Sequence, residues 1–170
     1  MRWILPLIVF VLSGVIGHLF VLTSLPSFIM GKAHQTFEAQ GIPENVFVAS
    51  PRQTPQTQRI VRPSPDLAYA ICRFDTTTGP VFINAPAWDG YGSLSIFNSK
   101  TDNVFVANLG PDSDFQGIEV RRPAENNREG ALKLDGRGIA LIRRLAPTQD
   151  QYDAAADLVA QASCAPVRQN

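Results

Sequence analysis

Residues 66–86 read DLAYAICRFDTTTGPVFINAP, and the fold is decided in this stretch. LAYAICRF, 67–74, carries apolar residues at both parities, the pattern of a strand covered on both faces rather than one with a wet side. DTTTGP supplies turn-forming residues and VFINAP follows as a second strand closed by Pro86, so the spacing predicts a hairpin. Downstream, AWDGYG contains Asp89-Gly90, a two-residue hairpin signal because both central positions favour positive φ. SLSIFN, SKTD and NVFVANL predict a further strand-loop-strand unit. From 110 to 137 the chain is rich in Gly, Pro, Asp, Asn and Arg, and only FQGIEV looks strand-like, which predicts a long excursion at one end of the sheet. GIALIRRL, 138–145, reads as the last strand. Thr148 and Gln151 then make a capping box, and the helix behind it places Tyr152, Ala155, Ala156 and Val159 on one stripe. About six short strands with one C-terminal helix predict a mainly β domain, a β-sandwich or jelly-roll-like fold with the helix at its flank.

The sequence ahead of this domain has a different composition. Fifteen Lys plus Arg balance fifteen Asp plus Glu over 170 residues, which argues against a polyanion-binding protein and against nucleic acid as a partner. Of those charges only Arg2 lies in the first thirty positions. From Trp3 to Leu25 the chain reads WILPLIVFVLSGVIGHLFVLTSL, about 34 Å of helix against a hydrocarbon core of roughly 30 Å. Pro6 falls in the first turn, where a missing amide hydrogen costs little. We read a single N-terminal transmembrane helix near residues 4–25, with the lipid bilayer as its partner; the rival is a cleavable secretory signal, for which Val15 and Gly17 make a poor site. Arg2 and the free amino terminus orient the N-terminus of this single-pass chain to the cytoplasm, which puts the domain in the periplasm or another extracytoplasmic space. The organisation expected is an anchor over 1–30, a juxtamembrane helix and solvated tether over 31–65, and a β-rich extracytoplasmic domain over 66–170.

Residues 62–109, RPSPDLAYAICRFDTTTGPVFINAPAWDGYGSLSIFNSKTDNVFVANL, taken together resemble the domain-of-unknown-function 1254 family of bacterial proteins in its short, membrane-anchored form. The family pattern is an Asp and a Tyr ahead of a strand, then Asp-x-x-x-Gly-Pro, a further strand, and an aromatic-rich strand leading to a turn with Thr and Asn. Asp66 and Tyr69 fit the first pair, Asp75, Gly79 and Pro80 the second, Tyr91 and Ser93 the third, and Thr101 with Asn103 the last. SPDLA departs from the long form at its start. The resemblance implies a β-sandwich-type fold and a companion protein of the domain-of-unknown-function 1214 family, and implies no established reaction.

His18 and His34 lie in or beside the apolar leader, so the domain as bounded here contains no imidazole. A Ser-His-Asp triad, a Cys-His pair and a histidine-rich metal site are then out of reach of a single chain, and we expect neither metal nor cofactor. No phosphate-loop, dinucleotide or nucleophile-elbow motif occurs. Carboxylates, tyrosine and a Ser-Lys pair using Lys100 or Lys133 are what remain.

The candidate ligand-binding residues are Asp66, Tyr69, Trp88, Asp89, Tyr91, Arg143 and Arg144. Trp88, Asp89 and Tyr91 have the composition of a sugar-stacking rim, and equally of a plain hairpin with packed aromatics. Arg143 and Arg144 sit inside an apolar strand, and a half-buried guanidinium needs a carboxylate, a carbonyl or an anionic ligand. Cys72 and Cys164, the only two cysteines, are expected to form a disulfide in an oxidising compartment, tying an inner strand to the end of the terminal helix; a pair of buried free thiols is the alternative. Function divides into two readings. One is a non-catalytic envelope subunit that pairs with a companion membrane-anchored domain; the other is a periplasmic saccharide- or anion-binding protein or carboxylate-dependent enzyme.

Overall fold

The structure, a computed structural model, describes residues 3–54, 63–123 and 129–167. Helix α1 (Ile4–Ala39) runs unbroken through Pro26 for 36 residues, about 54 Å. It is long and apolar enough to cross a membrane, and none of its most apolar eighteen-residue window is buried. Its C-terminal part is different, because Met30 and His34 are buried.

The two sheets that follow form a sandwich. Among the described residues the first has the order β1 (Val48–Ala49), β2 (Leu67–Asp75), β8 (Arg137–Leu145), β4 (Gly92–Phe97), β5 (Asn103–Asn108). The second has the order β7 (Leu132–Lys133), β6 (Ile118–Arg121), β3 (Val81–Asn84), β9 (Ser163–Pro166). Every pairing is antiparallel except β6 with β7. Phe74, Leu94, Ile96 and Ile142 from the first sheet meet Val81, Ile83 and Val120 from the second in one core. Helix α2 (Gln149–Asp157) starts at the expected capping box, with both Thr148 and Gln151 side chains engaged. It docks on β2 through Ala155, which packs with Ala68 and Ala146.

Both doubly apolar strands are interior: β2 lies between β1 and β8, and β8 between β2 and β4. The hairpin expected between β2 and β3 does not form, since the two belong to different sheets. The turn explains why. The Asp75 carboxylate accepts from the Thr77 amide at 2.8 Å and caps a 3-10 turn, Thr76–Thr78. Gly79 follows at φ +136, a conformation that glycine adopts at least cost, and Pro80 is buried. The chain is thrown from one layer to the other. The Asp89-Gly90 hairpin is likewise corrected: the segment joins β3 to β4 across the sandwich, and Gly90 is not among the positive-φ glycines. The β4–β5 hairpin forms as expected, its turn held by the Asn98 side chain accepting from the amides of Lys100 and Asp102.

Three further corrections concern extent. The 110–137 excursion contributes β6, an interior strand of the second sheet whose Val120 is fully buried. Strand β8 is followed by β9, a four-residue segment ending in proline that local pattern does not signal. The tether read over 31–65 is laid on the domain as far as Arg52: Phe47 enters the core, Val48 and Ala49 pair with Ile71 and Ala70, and Arg52 donates to the Pro147 carbonyl at 2.6 Å. Residues 55–62 of that tether lie outside the described residues. The Cys72–Cys164 disulfide is present. It joins β2 to β9, one strand from each sheet, rather than to the end of the helix.

Candidate functional site

The residues singled out above collect at one end of the five-stranded sheet, where β2 and β4 begin and β8 ends. Leu67, Ala68 and Tyr69 pair with Leu145, Arg144 and Arg143, and the latter two pair onward with Gly92 and Ser93. Asp66 stands just ahead of β2, its carbonyl accepting from the Ala146 amide at 2.8 Å. The Tyr91 carbonyl accepts from the Leu145 amide at 2.8 Å, and the Trp88 indole donates to the Leu145 carbonyl at 2.9 Å.

Alternation then divides them by face, since neighbouring residues of a strand point to opposite sides. On the outer face one register row crosses four strands: Tyr69, Arg143, Ser93 and Asn108. Arg143 Nη2 donates to Ser95 Oγ at 3.3 Å, while its Nε is buried without a hydrogen-bond partner. Tyr91 and Ser93 hydroxyls are 3.2 Å apart, and the Tyr69 hydroxyl accepts from the Ser64 amide at 2.9 Å. No carboxylate lies within ion-pair distance of Arg143 among the described residues. A guanidinium flanked by hydroxyls is suited to an anion or to sugar hydroxyls.

The inner face is closed. Arg144 is 1% exposed; Nη1 donates to the Ala155 carbonyl at 3.3 Å and Nη2 to the Pro86 carbonyl at 3.0 Å. Of the partners open to such a guanidinium it takes carbonyls, one of them in the last turn of α2, where the helix dipole is negative. Burial pushes its pKa down to about 10. The space beside it, bounded also by Tyr69, Tyr152 and Ala155, is about 10 Å³, room for one water and no substrate. Arg144 thus rivets β8 to α2. Trp88 packs against Ala68, Ala146 and Ala155, whereas Tyr91 reaches Ser93 on the other face, so the two rings do not form one stacking platform. Asp66 and Asp89 are exposed at the rim.

A second polar cluster was not visible in the sequence. His34 of α1 is 2% exposed, and neither ring nitrogen has a hydrogen-bond partner. Burial lowers its pKa, Arg137 and Arg73 lower it further, and Glu44 and Asp75 oppose them. Arg73 is also buried: Nε donates to the Ile42 carbonyl at 2.8 Å, and Nη1 lies 3.7 Å from Glu38 and 3.8 Å from Glu44. This cluster pins the end of α1 to β2. The signal that could have found it is the stripe Met30, Ala33, Phe37, helically spaced and flanking His34. The imidazole so added has no thiolate to activate, because both cysteines are oxidised to the disulfide. Among the described residues no group of three His, Cys, Asp or Glu side chains could hold a metal ion.

The fold is similar to that of the VPA0106 protein from Vibrio parahaemolyticus, a solved structure 11% identical in sequence, with a TM-score of 0.62 over 90% of this chain and 40% of that one. The chain therefore spans less than half the length of that protein, and at this identity the likeness concerns the fold alone. No curated protein matches. The family described as "Protein of unknown function (DUF1254)" matches residues 44–166, a span that starts just after α1 and ends with β9. On that match, which covers well over half of its residues, the chain belongs to the DUF1254 family.

Proposed function

We propose that this chain is a membrane-anchored cell-envelope subunit without catalytic activity of its own. Residues 4–25 cross the inner membrane with the N-terminus in the cytoplasm, the sandwich stands in the periplasm, and it pairs with a companion membrane-anchored domain of the DUF1214 family. The observation that carries this reading is α1 itself, a single helix whose first part is apolar and uncovered and whose C-terminal part buries Met30 and His34. A surface of that kind calls for lipid around it, and its rigid continuation sets the domain directly on the bilayer. The disulfide supports an oxidising compartment. The companion is supported by strand β5, an edge of the first sheet on which Val106 is 60% exposed, since such edges invite pairing and shared tethering raises effective concentration.

A reporter active only outside the cytoplasm, fused after Asn170, is expected to work, and the companion is expected to copurify stoichiometrically from detergent-solubilised membranes. Recovery of the native chain in the soluble fraction refutes the anchor, and a solitary monomer refutes the pairing. The second reading, periplasmic binding of an anion or saccharide at the outer-face row, is favoured by the unpartnered Arg143 Nε. Phosphate or a uronic acid raising the melting temperature of the parent but not of Arg143→Met is its test.

A further inference from the structure

The apolar surface of α1 does not stop where a bilayer would. The hydrocarbon core takes about 20 helical residues, yet Phe28 and Ile29, beyond Leu25, are still exposed at 61% and 51%. One turn above Leu25 this surface leads into a groove of about 220 Å³ between α1 and the outer face of the five-stranded sheet. Ile29, Ala33 and Phe37 line it on the helix side, and Ile71, Ile139 and Leu141 on the sheet side. No charged residue lines it; Thr101 is the one polar residue at its wall. From Ile29 to Phe37 it follows α1 for about 12 Å.

We infer that this groove holds one acyl chain of a phospholipid of the anchoring bilayer, drawn up along α1 into contact with strands β2 and β8. The inference rests on the proposed spanning of residues 4–25. An acyl chain reaches the groove along Leu25 and Ile29, exposed apolar residues one turn apart on α1, and it matches a lining that offers no hydrogen-bond specificity for a peptide. It also gives the exposed Ile29 side chain a partner at the level of the lipid headgroups, beside Phe28, whose ring already carries the Lys32 ammonium at 5.8 Å. The domain is thereby coupled to the lipid as well as to the helix.

The full chain is reconstituted in vesicles of phosphatidylethanolamine and phosphatidylglycerol carrying a diazirine near the end of one acyl chain, irradiated, and mapped by peptide mass spectrometry. Label is expected on peptides of residues 4–25 and also on those containing Ile71 and Leu141. Filling the groove from either side, with Ala33→Phe or with Leu141→Phe, is expected to lower the strand label at least fivefold and to leave the label on 4–25 unchanged. Retained disulfide and melting temperature identify a folded variant, and two variants are used so that one misfolding leaves the other. Label on 4–25 without label on the strands overturns the groove and spares the anchor. Label on neither overturns both. Strand label that neither substitution lowers means that the domain dips into the bilayer with the groove empty, and also overturns the inference.

Discussion

Replacing both cysteines, Cys72→Ala with Cys164→Ala, removes the disulfide cross-link between the two sheets. The bond closes a loop of 92 residues, for which the chain-entropy relation gives about 4.6 kcal/mol at 25 °C. The domain that unfolds is about 120 residues, with an unfolding entropy of about 0.25 kcal/mol/K at the midpoint. The expected fall in melting temperature is therefore about 18 °C. Both half-cystines are buried, so the solvent-facing surface is unchanged, and strand β9 keeps its ladder to β3 while the Val167 N–H still donates a hydrogen bond to the Pro80 carbonyl. The native circular dichroism spectrum is accordingly expected to persist at low temperature. The loss comes from the freed unfolded chain, so the same fall is expected when the parent is melted in reductant. The assay is a thermal melt of the full chain in detergent, parent against double variant, with thiols quantified by alkylation. A fall of less than 5 °C in the double variant refutes the loop-closure reasoning, and two alkylated thiols in the unreduced parent refute the bond.

Gly138→Ala is expected to destabilise by about 1–3 kcal/mol through overpacking, because the added methyl would strike the Phe74 ring and lie 3.0 Å from the Phe97 carbonyl oxygen; a denaturant midpoint equal to the parent's contradicts it. Thr148→Ala removes the capping box of α2 and is expected to cost about 1 kcal/mol, read as a lower denaturant midpoint with unchanged slope. The docking of α1 is expected to weaken in acid. Burial, with Arg137 and Arg73, lowers the His34 pKa, so the docked state favours the neutral ring. Its contribution is complete above the free value of about 6.5 and is lost, at up to about 1.4 kcal/mol per pH unit, as pH falls from there toward the depressed value. Hydrogen exchange of the amides at 30–38, corrected for intrinsic rates, is expected to speed up between pH 7.5 and 5.5, and His34→Phe to abolish the change.

Composition and periodicity by themselves determined the apolar N-terminal helix, the two interior strands around Ile71 and Leu141, the β4–β5 hairpin and the capped helix α2, because each is written in a local pattern of burial or hydrogen bonding. The disulfide also followed from the count of two cysteines and an expected oxidising compartment. Only the tertiary structure decided which strands share a sheet. A turn such as Asp75–Pro80 looks the same in sequence whether it returns the chain beside itself or carries it across the sandwich; the difference lies in long-range pairing of β3 with β6 and β9. Strand β9 and the 48–49 strand were illegible because two to four residues carry no period of their own and are held by the ladder they join. The same reason separates the candidate residues. Sequence placed Arg143 and Arg144 on opposite faces, but only packing shows that Arg143 is half-buried with hydroxyls beside its guanidinium, while Arg144 is sealed in by α2. His34 entered the picture last, because the stripe Met30, Ala33, Phe37 marks a covered helix face but does not say that a histidine nine residues beyond Leu25 is buried against a sheet assembled from residues 48 to 145.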